Sequence, residues 1–446
     1  MFLLVLAACS PESVVTGGPS ADDPLIIEIS QGNDTPVRRV RWSTPEPSTG
    51  AVEFGVDGRE FRVEDEALGT DHDVIVAGIG AGQDWQLEAI SEADASRWTS
   101  GVIAILADDA PADLPLPALA RGEASAGKGF TLTPIRADTA VRLAAYDAAG
   151  RAAWWSEPFT PRGFRGRYTP DTAEMTWLAS VQGSSGREFV TSTLDGETRT
   201  VPAPDGAHQD FVVLADGSFL VLVLEERTFE GIVVSGESLD RVAVDGSSRK
   251  VWSSWDRWTW DGTGKADESG SLEWPHANGL YVNAAETKAW VSLFFPNSVV
   301  EINLATGHED AVLGGSFADW TTEGEGFAGQ HSPFVSDDGR SMWIMDNGLT
   351  GRDDVAQARG YALDPGTRTA TETLVFDDGA AHTGVLLGDV VPLADGGTFV
   401  SWGTAGVLQT LDGAGVVDWQ LDFDLGSYPM LTEHLADLGA GPLNPP

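Results

Sequence analysis

From Leu25 to Leu106 apolar and polar residues alternate in short runs. The runs are Ile26-Ile27-Glu28-Ile29, Val37 to Trp42, Ala51-Val52-Glu53-Phe54, Val74-Ile75-Val76, Trp85 to Ile90 and Val102-Ile103-Ala104-Ile105. A period of two puts successive side chains on opposite faces, so each run predicts a half-buried strand. Strands this short and evenly spaced predict a β-sandwich. His72, just before the Val74 run, is expected at a surface or edge and is given no chemistry.

Beyond residue 125 one pattern repeats. A strand leads to a turn, then to a strand rich in Val, Leu, Phe or Trp, then to a strand ending in Asp-Gly or Thr-Gly. The instances are Ala145-Tyr146-Asp147 with Gly150 and Trp154, Ser192 to Gly196, Val242 to Gly246, Glu301 to Gly307, Tyr361 to Gly366, and Leu408 to Gly413 with Trp419. The spacing is about 40–55 residues, the size of a four-stranded propeller blade. The reading is therefore all-β: a six-bladed propeller over 126–446, a small sandwich over 25–106 and a linker over 107–125. A terminal strand is expected to complete the first blade, since propellers manage sheet edges by radial closure. No long segment carries a helical period, and Gly 52 with Pro 24 fits frequent turns.

The charge balance is extreme, with Lys+Arg 27 against Asp+Glu 68 and a net −41. Nucleic acid and anionic membrane are poor partners for such a chain. The single cysteine, Cys9, lies in Leu6-Ala7-Ala8-Cys9-Ser10 behind the apolar run Phe2 to Leu6. This resembles a bacterial lipoprotein signal, although without the basic start. The resemblance implies cleavage before Cys9 and a lipid on its thiol, and hence a membrane anchor only at the N-terminus. The apolar run is too short to span a bilayer. Pro11 to Pro24 then reads as a flexible tether, so that 1–24 is signal and tether. With its only thiol so used, the chain has none for a disulfide or a catalytic cysteine.

Histidine is scarce, at 7 residues, which makes its placement informative. His276 lies in Trp274-Pro275-His276-Ala277-Asn278-Gly279, and His331 lies in Gln330-His331-Ser332, ahead of Met345-Asp346-Asn347-Gly348 and Arg352. Each histidine comes shortly before an apolar run that ends in a polar turn, so both are expected at the mouths of inner strands. Imidazoles, an amide and a guanidinium from successive repeats would then meet in one pocket suited to an anion. His308 reads as an exposed turn residue and His434 as structural. A metal site from His276, His331 and a carboxylate lacks supporting spacing, with neither His-x-His nor His-Glu-x-x-His, and no metal is expected. The run Trp252, Trp255, Trp258, Trp260 is read first as blade packing.

Two family resemblances follow. Val40-Arg41-Trp42-Ser43-Thr44-Pro45 and Val52-Glu53-Phe54-Gly55 resemble the early strands of a fibronectin type III module. His208-Gln209-Asp210-Phe211 with Leu214 to Leu220, the His-x-Asn of His276 and Asn278, and the Gln-His and Asp-Asn-Gly-x-x-x-Arg pieces resemble the arylsulfotransferase family. These are bacterial propeller enzymes that do not use the usual nucleotide sulfate donor. The resemblance runs from about Ala126 to the C-terminus and is strongest from Ala207 to Phe376. It implies a cell-envelope location, periplasmic or facing the outer membrane. It also implies transfer of a sulfuryl group from an aryl sulfate to a phenolic acceptor through a sulfohistidine, with no cofactor. On matched positions His276, His331 and Arg352 would form the oxyanion and leaving-group cage. Asn278 and Asn347 would support it, and His208 would line the funnel. His382 is the best remaining candidate for the nucleophile, a role that passes to His331 or to no residue if His382 faces solvent. The alternative is a non-catalytic propeller lipoprotein that binds a small ligand or a protein.

Overall fold

The computed structural model describes residues 25–446 apart from 32–33, 125–127, 138–139, 182–183, 267–270, 350–354, 381, 425, 440 and 443–446. Cys9, the tether and Arg352 therefore lie outside the described residues. Among the described residues the chain is all-β, and its helical content is a few three-residue 3-10 turns. This is what the period-two patterning predicts.

Six N-terminal strands and the C-terminal Gly441–Pro442, which pairs with Phe61–Val76, form one seven-stranded sheet. The runs at Val37–Trp42 and Ala51–Phe54, expected as separate strands, belong to a single strand, Arg38–Gly55, paired along Phe61–Val76. Its register shifts on either side of Ser48. Such irregularities bend a strand and tolerate the prolines Pro45 and Pro47, which look like a break in the sequence. The sheet wraps a core of its own, with Val40, Trp42, Val52, Phe54, Trp85 and Leu87 buried together.

From Phe130 onward one antiparallel meander recurs. The strands Phe130–Ala137, Ala140–Asp147 and Ala152–Trp155 pair in sequence. Next come Pro161–Thr169 to Thr198–Ala203, then Ala207–Val213 to Ser248–Ser253. Ala277–Val282 to Glu309–Leu313, His331–Val335 to Thr369–Phe376, and Asp389–Pro392 to Val417–Asp422 follow. The Asp-Gly and Thr-Gly labels fall at the turn before the outermost strand of each meander. There Asp147, Asp245, Asp364 and Asp412 accept backbone N–H bonds two residues on. Part of the acidic composition is thus turn chemistry.

The meanders pack face to face around a ring. Leu222, Leu239 and Trp252 bury against Leu280, Val291 and Val300. Trp290 and Val299 bury against Val335, Ile344 and Tyr361. The last meander (Phe399, Leu408, Trp419) packs on the first (Tyr146, Trp155). Chain pairing closes the same seam twice. Tyr428–Pro429 and Glu433–Leu435 add to the inner edge of Phe130–Ala137. Ala118–Arg121, inside the span expected as a linker, adds to the outer edge of Val417–Asp422. This is a propeller-type fold, and its closure removes the free sheet edges a linear array would expose.

Candidate functional site

The inner strands of three consecutive meanders open irregularly. Gln209, His276 and Ser332 adopt left-handed conformations, with φ of 59°, 59° and 49°. Registers shift between His208 and Phe211, between Ala277 and Gly279, and between His331 and Phe334. A left-handed non-glycine residue costs on the order of 1 kcal/mol, and such bulges re-aim side chains. His208 and His331 each precede the left-handed residue, whereas His276 is one. Gly279 permits the inner strands to approach, because a Cβ there would lie 2.6 Å from the backbone nitrogen of Ser332.

His331 is buried and held in one orientation. Its Nδ1 lies 2.7 Å from Oδ1 of Asn347. The Asn347 amide nitrogen donates to the carbonyls of Val385 (3.1 Å) and Leu387 (3.0 Å), which leaves Oδ1 as the acceptor. His331 therefore carries its proton on Nδ1, and Nε2 carries the lone pair. Burial pushes its pKa down to about 4, and the neighbouring His276 adds to the shift. Bonding to Asn347 and the Gly329 carbonyl oppose it. At neutral pH this is a neutral imidazole.

His276 stands beside it across Phe294. The Phe294 ring is edge-on to both, with centroids 5.8 Å from His276 and 6.1 Å from His331. Nδ1 of His276 lies 2.7 Å from Oε2 of Glu273, an ion-pair contact set off the axis of a ring N–H. The bond to His276 holds the Glu273 carboxyl below its usual range, and His208 adds to that field. Nε2 of His208 lies 2.9 Å from the buried Glu237, whose other oxygen accepts from the backbone nitrogen of Ala277 at 2.8 Å. His208, His276 and His331 thus share one region. Two of the three, His208 and His276, carry a carboxylate partner.

The same inner strands also carry a buried arginine hub, reached through Asp210 and Ser332. The Arg165 guanidinium donates to Asp210 (3.1 and 3.2 Å), Asp389 (2.6 Å), Ser332 (2.9 Å) and the Thr432 carbonyl. It thereby links four inner strands and the closing segment. Burial alone would lower its pKa, but Asp210 and Asp389 outweigh burial and raise it. Arg167, beside it, donates to Asp210 at 3.0 Å and to the Phe211 carbonyl at 2.7 Å. Next to this hub Val141, Leu387, Met430 and Leu431 form an apolar cluster with Phe159 and Phe164.

The remaining candidates lie as follows. Asn278 is wholly buried and donates to the Gln330 carbonyl at 2.8 Å, a tie between inner strands that fixes the backbone before His331. His382 is turned elsewhere: it contacts Asp378 at 2.9 Å and packs on Trp402 with centroids 4.6 Å apart. None of its described contacts reaches His276 or His331. His308 is exposed, and His434 bonds the Lys128 carbonyl at 2.9 Å. Trp252, Trp255 and Trp258 are buried in a blade core. Among the described residues no group of three or more His, Cys, Asp or Glu could hold a metal.

His72 is not at the surface. It is buried between Asp65 (2.9 Å from Nδ1) and Ser48 (3.0 Å from Nε2), with Trp42 stacked on its ring. This chain has the partner order of a nucleophilic triad. Ser48, however, is wholly buried and also bonded to Thr44, so the network is structural. The sequence reading missed Glu237, Glu273, Phe294 and the Arg165 hub. Asp210, adjoining His208-Gln209, and Ser332, adjoining His331, were the motif residues that belong to the hub.

No family model and no curated protein matches the chain. Similar solved structures include a Bacteroides caccae protein of unknown function, at 15% identity and TM-score 0.42, covering 68% of this chain and 99% of that one. The Pseudomonas aeruginosa periplasmic gluconolactonase PpgL is similar at 13% identity and TM-score 0.41, covering 69% and 99%. A streptogramin B lyase is similar at 11% identity and TM-score 0.36, covering 71% and 89%. The class defined by strand pairing is an all-β, propeller-type protein.

Proposed function

We propose that the recurring meanders are six blades, and that the His208–His276–His331 face is the site of an arylsulfotransferase-like enzyme. The observation that carries this is His331, a neutral imidazole whose Nδ1 proton is committed to Asn347, set beside a second imidazole. Such a nitrogen is a competent nucleophile that can also leave again. Its Nε2 attacks sulfur in an aryl sulfate, and the N–S bond forms as the S–O(aryl) bond breaks. The phenolate takes its proton from the His276 imidazolium, which Glu273 supports. A phenolic acceptor then attacks sulfur and the N–S bond breaks. The acceptor's proton passes to His276, which restores the starting state. Donors aimed at the developing oxyanion favour this transition state over the ground state. His331 takes the nucleophile role that the sequence offered to His382. A lipid anchor at Cys9 and a cell-envelope location remain part of the proposal.

A second reading, a non-catalytic binding propeller, is favoured by one specific feature. Glu237 and Glu273 offset the imidazole charge that an anion would need. The test is incubation with 4-nitrophenyl sulfate and a phenol. Acceptor-dependent release of nitrophenol supports transfer. Absence of turnover over several aryl sulfates, with folded protein, leaves the binder.

A further inference from the structure

Strand Pro161–Thr169 carries three arginines with different surroundings. Arg165 and Arg167 are paired with carboxylates, whereas Arg162, near the strand's start, is exposed and among the described residues bonds only the Ser180 hydroxyl, at 2.6 Å. Arg187 stands directly across from Ser180 in the adjoining strand pair. Its Nη1 donates to the Ala207 carbonyl, the residue before His208, and its Nε is buried without a hydrogen-bond partner. Among the described residues neither guanidinium lies within ion-pair distance of a carboxylate. Most cations of this chain do have such partners, as its 68 acidic residues make easy. Burial lowers the Arg187 pKa and the charge of Arg162 lowers it further, so the two groups feel one another. The exposed Asp205 opposes this and ranks after both.

Two like charges side by side, one with an orphaned buried N–H, are a costly arrangement when carboxylates are plentiful. An oxyanion would resolve both costs, because guanidinium forks match tetrahedral and planar oxyanions in geometry as well as charge. We infer that Arg162 and Arg187 form an oxyanion-binding subsite at the rim beside His208, able to take a sulfate ester or carboxylate of an incoming ligand. It supplies positive charge where Glu237 and Glu273 cancel that of the histidines. This deepens the transfer reading, but the binding itself does not depend on turnover.

The test is calorimetric titration of the full chain with inorganic sulfate at low ionic strength. Saturable binding is expected, weakened about tenfold in R162M, whose site is exposed and should not disturb folding, and lost in R162M/R187M. His331→Ala should leave sulfate affinity within about twofold. No saturable binding in the wild type, an unchanged affinity in R162M, or loss in His331→Ala alone would overturn the subsite. The two proposals fail separately. Sulfate binding without turnover removes the transfer reading only. Turnover with unchanged KM in R162M removes the subsite only.

Discussion

Two clusters on the inner strands, the Arg165 hub and the three histidines, are built in opposite ways although they share the strands of His208 and His331. Around Arg165 every polar group is over-provided: one guanidinium meets two carboxylates, a hydroxyl and a carbonyl, with an apolar cluster beside it. Around His208, His276 and His331 each imidazole has a single side-chain partner among the described polar contacts, and the backbone is bulged and left-handed. A buried network satisfied on all sides fixes geometry and reacts with nothing. Side chains oriented by one side-chain partner, without a saturated network around them, meet a condition for chemistry. The arginine hub ties inner strands to the closing segment, and the histidine cluster is where the proposed chemistry would sit.

The sharpest way to break this division is to exchange the consequences. Arg165→Ala leaves Asp210 and Asp389 buried and unpaired, and should cost about 3–5 kcal/mol in urea unfolding. A loss below about 1 kcal/mol would show that the hub does not hold the ring. His331→Ala should do the reverse. Turnover of an aryl sulfate should fall by about a thousandfold, while the unfolding midpoint moves little. An effect of only a few-fold would make His331 a packing residue.

The pH dependence of stability sharpens the contrast. The folded-state pKa of His331, about 4, lies below its ordinary 6.5. Between those values the unfolded chain binds a proton that the folded chain refuses. Stability should therefore rise with pH across this window and level off above it, by at most about 3 kcal/mol. His434, also lowered by burial, acts in the same direction. Unfolding of His331→Gln measured at both ends of the window should show a smaller difference than the wild type. An equal difference would place the titration elsewhere. The smallest effect expected is in Phe294→Leu. It keeps an apolar contact between the two imidazoles but loses the ring edges, and should raise KM for aryl sulfates about fivefold with little change in kcat.

Much of the fold was legible because each level of the sequence agreed. Alternation gave strands, and the Asp-Gly labels fell at the same turn of successive meanders, where the carboxylate caps backbone N–H groups. Closure pairing was legible only in principle, since Ala118–Arg121 and Glu433–Leu435 are too short to signal which edge they join. The long bent strand Arg38–Gly55 was expected as two because the apolar alternation lapses between Trp42 and Ala51, across Pro45 and Pro47. In the site, His276 and His331 were found from strand-start position. Glu237 lies 29 residues from His208 on another strand, so their pairing had no sequence signal, whereas Glu273 stands three residues before His276 and was overlooked. His382 misled because its distance from the axis depends on tertiary packing against Trp402.

The most direct measurement is peptide mapping by mass spectrometry after brief incubation with 4-nitrophenyl sulfate and no acceptor. The account predicts one added sulfuryl group on the peptide containing His331, discharged when a phenol is supplied. Label on another residue, or nitrophenol release with His331 unmodified and His331→Ala fully active, would contradict it.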